Sequence, residues 1–112
     1  MSVKIERLNN NFQQVISEIL LEEVKDPNLK FVTITGCDIT NDLSFCKVYF
    51  TTLSEDKDEV LNSLKSASSF IRGEISKRVE IRHTPELRFI FDESIEYGNK
   101  IEKIINDINN KE

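Results

Sequence analysis

The apolar residues of this chain switch back and forth between two spacings, and that switching restricts what the chain can fold into. From residue 4 to residue 24, Ile5, Leu8, Phe12, Val15, Ile16, Ile19 and Leu20 recur in steps of three and four, which lays them along one stripe of a helix. Lys25-Asp26-Pro27-Asn28 ends that helix, because Pro27 pushes Asp26 out of α geometry. From Phe31 to Ile39 the spacing falls to two and β-branched residues dominate, the signature of a strand. After Gly36 the apolar phase slips by one residue, to Cys37 and Ile39, and a β-bulge at Gly36 accounts for the slip. Thr40-Asn41-Asp42-Leu43-Ser44 supplies turn chemistry, and Phe45 to Leu53 is the return strand, with Cys46, Val48 and Phe50 facing inward. A tip at Asn41-Asp42 predicts Cys37 opposite Cys46, Ile34 facing Val48 and Val32 facing Phe50.

Helical spacing returns with Val60, Leu61, Leu64, Ala67, Ile71, Ile75 and Val79, behind an acidic first turn that complements the helix dipole. Ser66-Ala67-Ser68-Ser69 sits in the middle of this run. Serines compete for backbone hydrogen bonds, so a kink or break is expected there. Thr84-Pro85 then forces extended geometry into a third strand, with Leu87, Phe89 and Phe91 on one face. Asp92 or Ser94 is placed to cap a last helix carrying Ile95, Ile101, Ile104, Ile105 and Ile108, with residues 109–112 fraying. The order is α-β-β-α(kinked)-β-α, an α+β arrangement in which one small three-stranded sheet is covered by helices on one face.

At 112 residues, a single domain over 1–112 is the natural reading. Hydrophobic residues at 38% and charged residues at 31% suit a folded globular chain and argue against disorder. No apolar run approaches the roughly 18 residues of a membrane span, and Met1-Ser2-Val3-Lys4 opens no signal-peptide core, so the expected location is the cytoplasm. Cys37, Cys46 and His83 are too few for a four-ligand zinc site, so no metal is expected. In a reducing compartment the two cysteines read as small buried side chains rather than a redox switch.

The chemistry of catalysis is missing. Gly36, Gly73 and Gly98 are too far apart for a phosphate loop, and no nucleophile stands at a workable distance from a base. Acid pairs such as Glu22-Glu23 and Asp92-Glu93 read as solvated ends of elements. No enzyme, cofactor or small-molecule substrate is therefore expected. Charge is more informative. The chain carries a net −5, yet Phe70 to Arg88 holds Arg72, Lys77, Arg78, Arg82 and Arg88 against only Glu74, Glu80 and Glu86. A local cationic face on an acidic chain is a candidate RNA-phosphate contact. The rival reading of the same fold is a protein-interaction module, which salt would weaken far less.

Several strings, taken in order, resemble the ribosome-binding factor A family, which assists assembly of the bacterial small ribosomal subunit. They are Glu22…Lys25-Asp26-Pro27, Val32-Thr33-Ile34-Thr35-Gly36, Asn41-Asp42-Leu43-Ser44 with Lys47-Val48-Tyr49, Ala67-Ser68-Ser69-Phe70-Ile71-Arg72, Arg82…Pro85-Glu86-Leu87-Arg88-Phe89, and Asp92-Glu93-Ser94. The resemblance implies a KH-like fold of the type II arrangement. It implies a monomer that binds immature small subunits and their ribosomal RNA, aids late RNA processing and folding, matters most in the cold, and then dissociates. It also implies a helix–kink–helix built on an Ala-x-Gly motif, matched here by Ala67, Ser68 and Ser69 with serine at the glycine position. On that footing Arg72, Lys77, Arg78 and Arg82 are the expected phosphate contacts, Ser68 and Ser69 lie close to the RNA backbone, and Arg7 and Lys47 are further candidates.

Overall fold

The structure, a computed structural model, describes residues 3–93. The final helix expected from Ile95 to Ile108, its cap at Ser94 and the fraying at 109–112 lie outside the described residues. α1 runs from Val3 to Glu22 and buries the expected stripe, with Phe12, Ile16 and Ile19 fully enclosed. It ends where Pro27 requires. The Glu23 and Val24 amides close on the Ile19 carbonyl, and Asp26 then caps a 3₁₀ turn over Pro27–Leu29 by accepting from the Asn28 amide (3.0 Å). Asn28 reaches across to Glu59 and Ser63 (both 3.2 Å), tying this turn to the start of the second long helix.

β1 (Val32–Ile39) and β2 (Phe45–Thr52) form the antiparallel hairpin. The bulge is present: the register shifts between Ile34 and Gly36 and leaves Thr35 unpaired. Thr35 turns its hydroxyl to Asp92 instead (2.7 Å). The pairing itself is corrected. Cys37 pairs with Val48, Ile34 with Phe50 and Val32 with Thr52, two residues from the expected register. The turn is the cause. Thr40 closes on Phe45 by a backbone bond of 2.9 Å, so residues 41–44 form the loop rather than Asn41-Asp42 alone. Asp42 holds this loop by accepting from the Thr40 hydroxyl (2.8 Å) and the Ser44 amide (3.0 Å), and Leu43 sits at a φ of 63°. Side chains alternate with a period of two, so a slip of two leaves every residue on its face. Cys46, Val48 and Phe50 are fully buried, as the alternation requires.

α2 spans Lys57–Arg78, capped by Asp56 accepting from the Glu59 amide (3.0 Å). It buries Val60, Leu64, Ile71 and Ile75. Of the kink or break expected at Ser66–Ser69, no break forms: the helix passes through Ala67, Ser68 and Ser69 as one element. Ser68 donates its hydroxyl to the Lys65 carbonyl (2.9 Å), and Ser76 does the same to Gly73 (2.7 Å), so each bonds back onto its own helix without displacing an amide. Val79, in extended geometry, stops the helix, and buried Pro85 leads into β3 (Glu86–Phe91). β3 lies parallel to β2, so the sheet order is β1-β2-β3 with β2 central. The inward residues of all three strands face α1 and α2, and Phe50 meets Phe91 edge-to-face at 5.7 Å. The expected α+β layering, a three-stranded sheet with helices on one face, is therefore what forms. No helix among the described residues is long and apolar enough to cross a membrane.

Candidate functional site

The cations between Phe70 and Arg88 fall into distinct settings. Arg72 is half-buried and already occupied: Nε donates to the Pro85 carbonyl (3.0 Å) and Nη2 to the Thr84 carbonyl (2.7 Å). It works as a strut between α2 and the loop that precedes β3. Lys77 and Arg78 share Glu74, at 3.5 and 3.6 Å, and Arg78 also lies 3.5 Å from Glu23, in the turn just after α1. The Glu74 side chain is only 17% exposed, whereas Lys77 is 74% exposed, so Glu74 holds Arg78 and Lys77 from beneath and the Lys77 ammonium stays at the surface. Arg88 points from β3 onto the sheet face away from α1 and α2, where its guanidinium lies 4.2 Å over the Phe45 ring. Lys47 stands next to it in register, with Asp38 on its other side.

Arg82 has a different setting. It lies in the loop after α2 and lines a groove of about 700 Å³ with Lys4 and Arg7 from the first turns of α1. Asn11 extends the α1 wall, Asn41 and Leu43 come from the hairpin turn, and Glu80 and Ile81 complete the loop side. The strut at Arg72 fixes this loop from behind. The Glu86 amide, bonded to the Ser44 carbonyl (3.0 Å), fixes it to the hairpin turn. Three cations, one acid and two side-chain amides thus meet around Leu8, Leu43 and Ile81.

Sequence reasoning singled out Arg82 and named Arg7, but it missed Lys4. A signal existed: Lys4, Arg7 and Asn11 recur at helical spacing on the stripe beside the apolar one. What was missing was any means of seeing that the hairpin turn and the 80–82 loop close over that stripe. Ser68 is half-buried and Ser69 exposed on α2, and His83 is exposed beside Arg82. Both cysteines are free. The hydrogen bond with Cys46, followed by burial, pushes the Cys37 thiol well above its ordinary value.

Three comparisons bear on this arrangement. A family model described as ribosome-binding factor A matches residues 4–105. The ribosome-binding factor A of Staphylococcus carnosus (strain TM300) is 43% identical over 112 residues, covering 98% of this chain and 97% of that protein. The crystal structure of ribosome-binding factor A from Thermus thermophilus superposes with a TM-score of 0.72 at 23% identity, covering 77% of this chain and 93% of that one. Coordinates of the Thermus thermophilus protein fitted into the cryo-EM map of a 30S complex superpose with a TM-score of 0.64 at 22% identity, over 76% of this chain and 91% of that one. At those identities the solved structures speak to the fold, which is the KH-like α+β arrangement.

Proposed function

Because the chain belongs to the ribosome-binding factor A family, we propose that it docks on the immature small ribosomal subunit, contacts the subunit's RNA, aids its late processing and folding, and leaves before translation. The observation that carries this reading is the match at 43% identity along almost the whole of both chains. The fitted 30S complex of the Thermus thermophilus relative supplies the class of partner. The work is done by binding in the cytoplasm, as a monomer made of one KH-like domain over 1–112, with no covalent step. A bound protein shifts an RNA conformational equilibrium only by its differential affinity for the two states. That shift matters most in the cold, where misfolded RNA helices rearrange slowly.

The phosphate contacts are assigned to Lys77, Arg78 and Arg82, whose side chains stand at the surface, with Ser68 and Ser69 beside the RNA backbone on the same helix. Arg72 contributes by holding the loop that carries Arg82. The unbroken course of α2 through Ala67-Ser68-Ser69 carries that segment on the same helix as Lys77 and Arg78. Co-sedimentation of the full chain with purified small subunits across a salt series tests the reading. Binding should fall steeply with salt, and charge reversal at Lys77, Arg78 and Arg82 should weaken it together. Wild-type protein that stays in the supernatant at low salt sinks the proposal.

A second reading, docking onto a protein partner, draws on exposed apolar side chains: Leu21 at 83%, Phe31 at 57% and Leu53 at 84%. It predicts association that persists at high salt and is lost on changing these three residues to serine.

A further inference from the structure

We propose that the groove between the start of α1, the β1–β2 turn and the loop after α2 seats an unpaired RNA nucleotide. This rests on the reading that the chain contacts ribosomal RNA, and it names where one base of that RNA goes. The groove's volume, about 700 Å³, falls within the range that encloses small ligands and is too small for a duplex. Arg7 and Arg82 line it against Glu80, the one acid among its described lining residues, in a chain whose net charge is −5. An anionic ligand is therefore favoured at this place.

The remaining walls say which anion. Leu8, Leu43 and Ile81 pack against the core and leave aliphatic surface toward the groove, suited to the face of a base. Asn11 and Asn41 each offer an amide donor and an acceptor, the groups that read a base edge. A bare phosphate has no use for the apolar wall, and an apolar peptide has no use for the arginines. A nucleotide uses the cations, the apolar wall and the amides together, as single-stranded RNA does on other protein surfaces. Leu43 adds an independent mark. Its φ of 63° lies in the left-handed region, where a bulky side chain sits at a cost that glycine or asparagine would avoid. Leucine at that position keeps an aliphatic group in the groove wall.

The test is titration of the full chain with a single-stranded hexaribonucleotide of mixed sequence, its duplex, and an acidic amphipathic peptide, followed by amide chemical shifts. The single strand should move resonances of Asn11, Asn41 and the 80–82 loop, and the duplex and the peptide should not. The double variant Arg7→Gln/Arg82→Gln should lose on the order of tenfold in affinity, and its slope of log affinity against log salt should flatten by about 1.4, two single-strand phosphate contacts. Leu43→Asn, which suits the backbone, should weaken the oligonucleotide without altering the salt slope. Unchanged oligonucleotide binding by the double variant, shifts centred elsewhere, or tighter binding of the duplex or the peptide at the groove overturns the inference. Small-subunit co-sedimentation of wild-type protein, run alongside, separates failure here from failure of the subunit-binding function itself.

Discussion

Replacing Arg72 should reveal that this cation holds the fold together more than it holds RNA. Its guanidinium makes two charge-assisted bonds, to the carbonyls of Thr84 (2.7 Å) and Pro85 (3.0 Å). Each such bond contributes about 1.5–3 kcal/mol net, and half-burial places both at the low end, so Arg72→Ala should cost about 3 kcal/mol. Arg72→Lys keeps the charge, but one ammonium cannot reach both carbonyls as a planar fork does, so about half that loss should remain. At about 4 °C per kcal/mol for a chain of this length, melting should fall by about 12 °C for alanine and about 6 °C for lysine. Thermal and urea unfolding followed by circular dichroism read the stability. Hydrogen exchange at the Glu86 amide, which bonds Ser44 at 3.0 Å, reads the local effect, and it should quicken in both variants. Arg72→Met keeps most of the stem and removes the head. If that variant melts with wild type, within about 0.5 kcal/mol, and Glu86 exchange is unchanged, the strut reasoning is refuted.

Phe50→Ala empties a fully buried site that also meets Phe91 edge-on, and calorimetry should show a loss of about 3–5 kcal/mol. Asn9→Ala removes the acceptor for the Ile39 amide (2.9 Å) on the edge of β1 away from β2, so urea titration should report a loss of about 1–2 kcal/mol. Hydrogen bonds from the Ser44 amide and then the Thr40 hydroxyl hold the Asp42 carboxyl below its ordinary value. Its contribution to stability is therefore complete above that ordinary value and is lost as pH falls through the lowered one; Asp42→Asn should flatten this acid limb in melts run against pH. Bonding to Cys46 and burial raise the Cys37 thiol, so iodoacetamide should label it slowly at neutral pH in the native chain and quickly in urea, as mass spectrometry will show.

How much of this was legible in the sequence depends on the range of the interaction. The course of α1, the strand character of both hairpin arms, the inward set Cys46, Val48 and Phe50, and the stop before Pro27 all follow from side-chain period and local backbone sterics, which a sequence displays directly. The bulge near Gly36 was legible for the same reason, since it shifts the apolar phase. The register was not. A slip of two residues preserves both faces, and the choice was made by Thr40 and Asp42 bonding across a wider turn. The continuity of α2 through its serines was likewise hidden, because a hydroxyl that bonds back to its own helix and one that breaks it look alike as letters.

For the candidate site, the sequence determined that basic residues concentrate between Phe70 and Arg88. Tertiary structure alone decided which of them remain available. It engaged Arg72 with two carbonyls, set Glu74 between Lys77 and Arg78, laid Arg88 over Phe45, and brought Arg82 against Lys4 and Arg7 from the opposite end of the described chain. The physical reason is that charge along a chain is additive and can be counted, whereas the partner of each charge is set by distances between segments that only the folded core fixes.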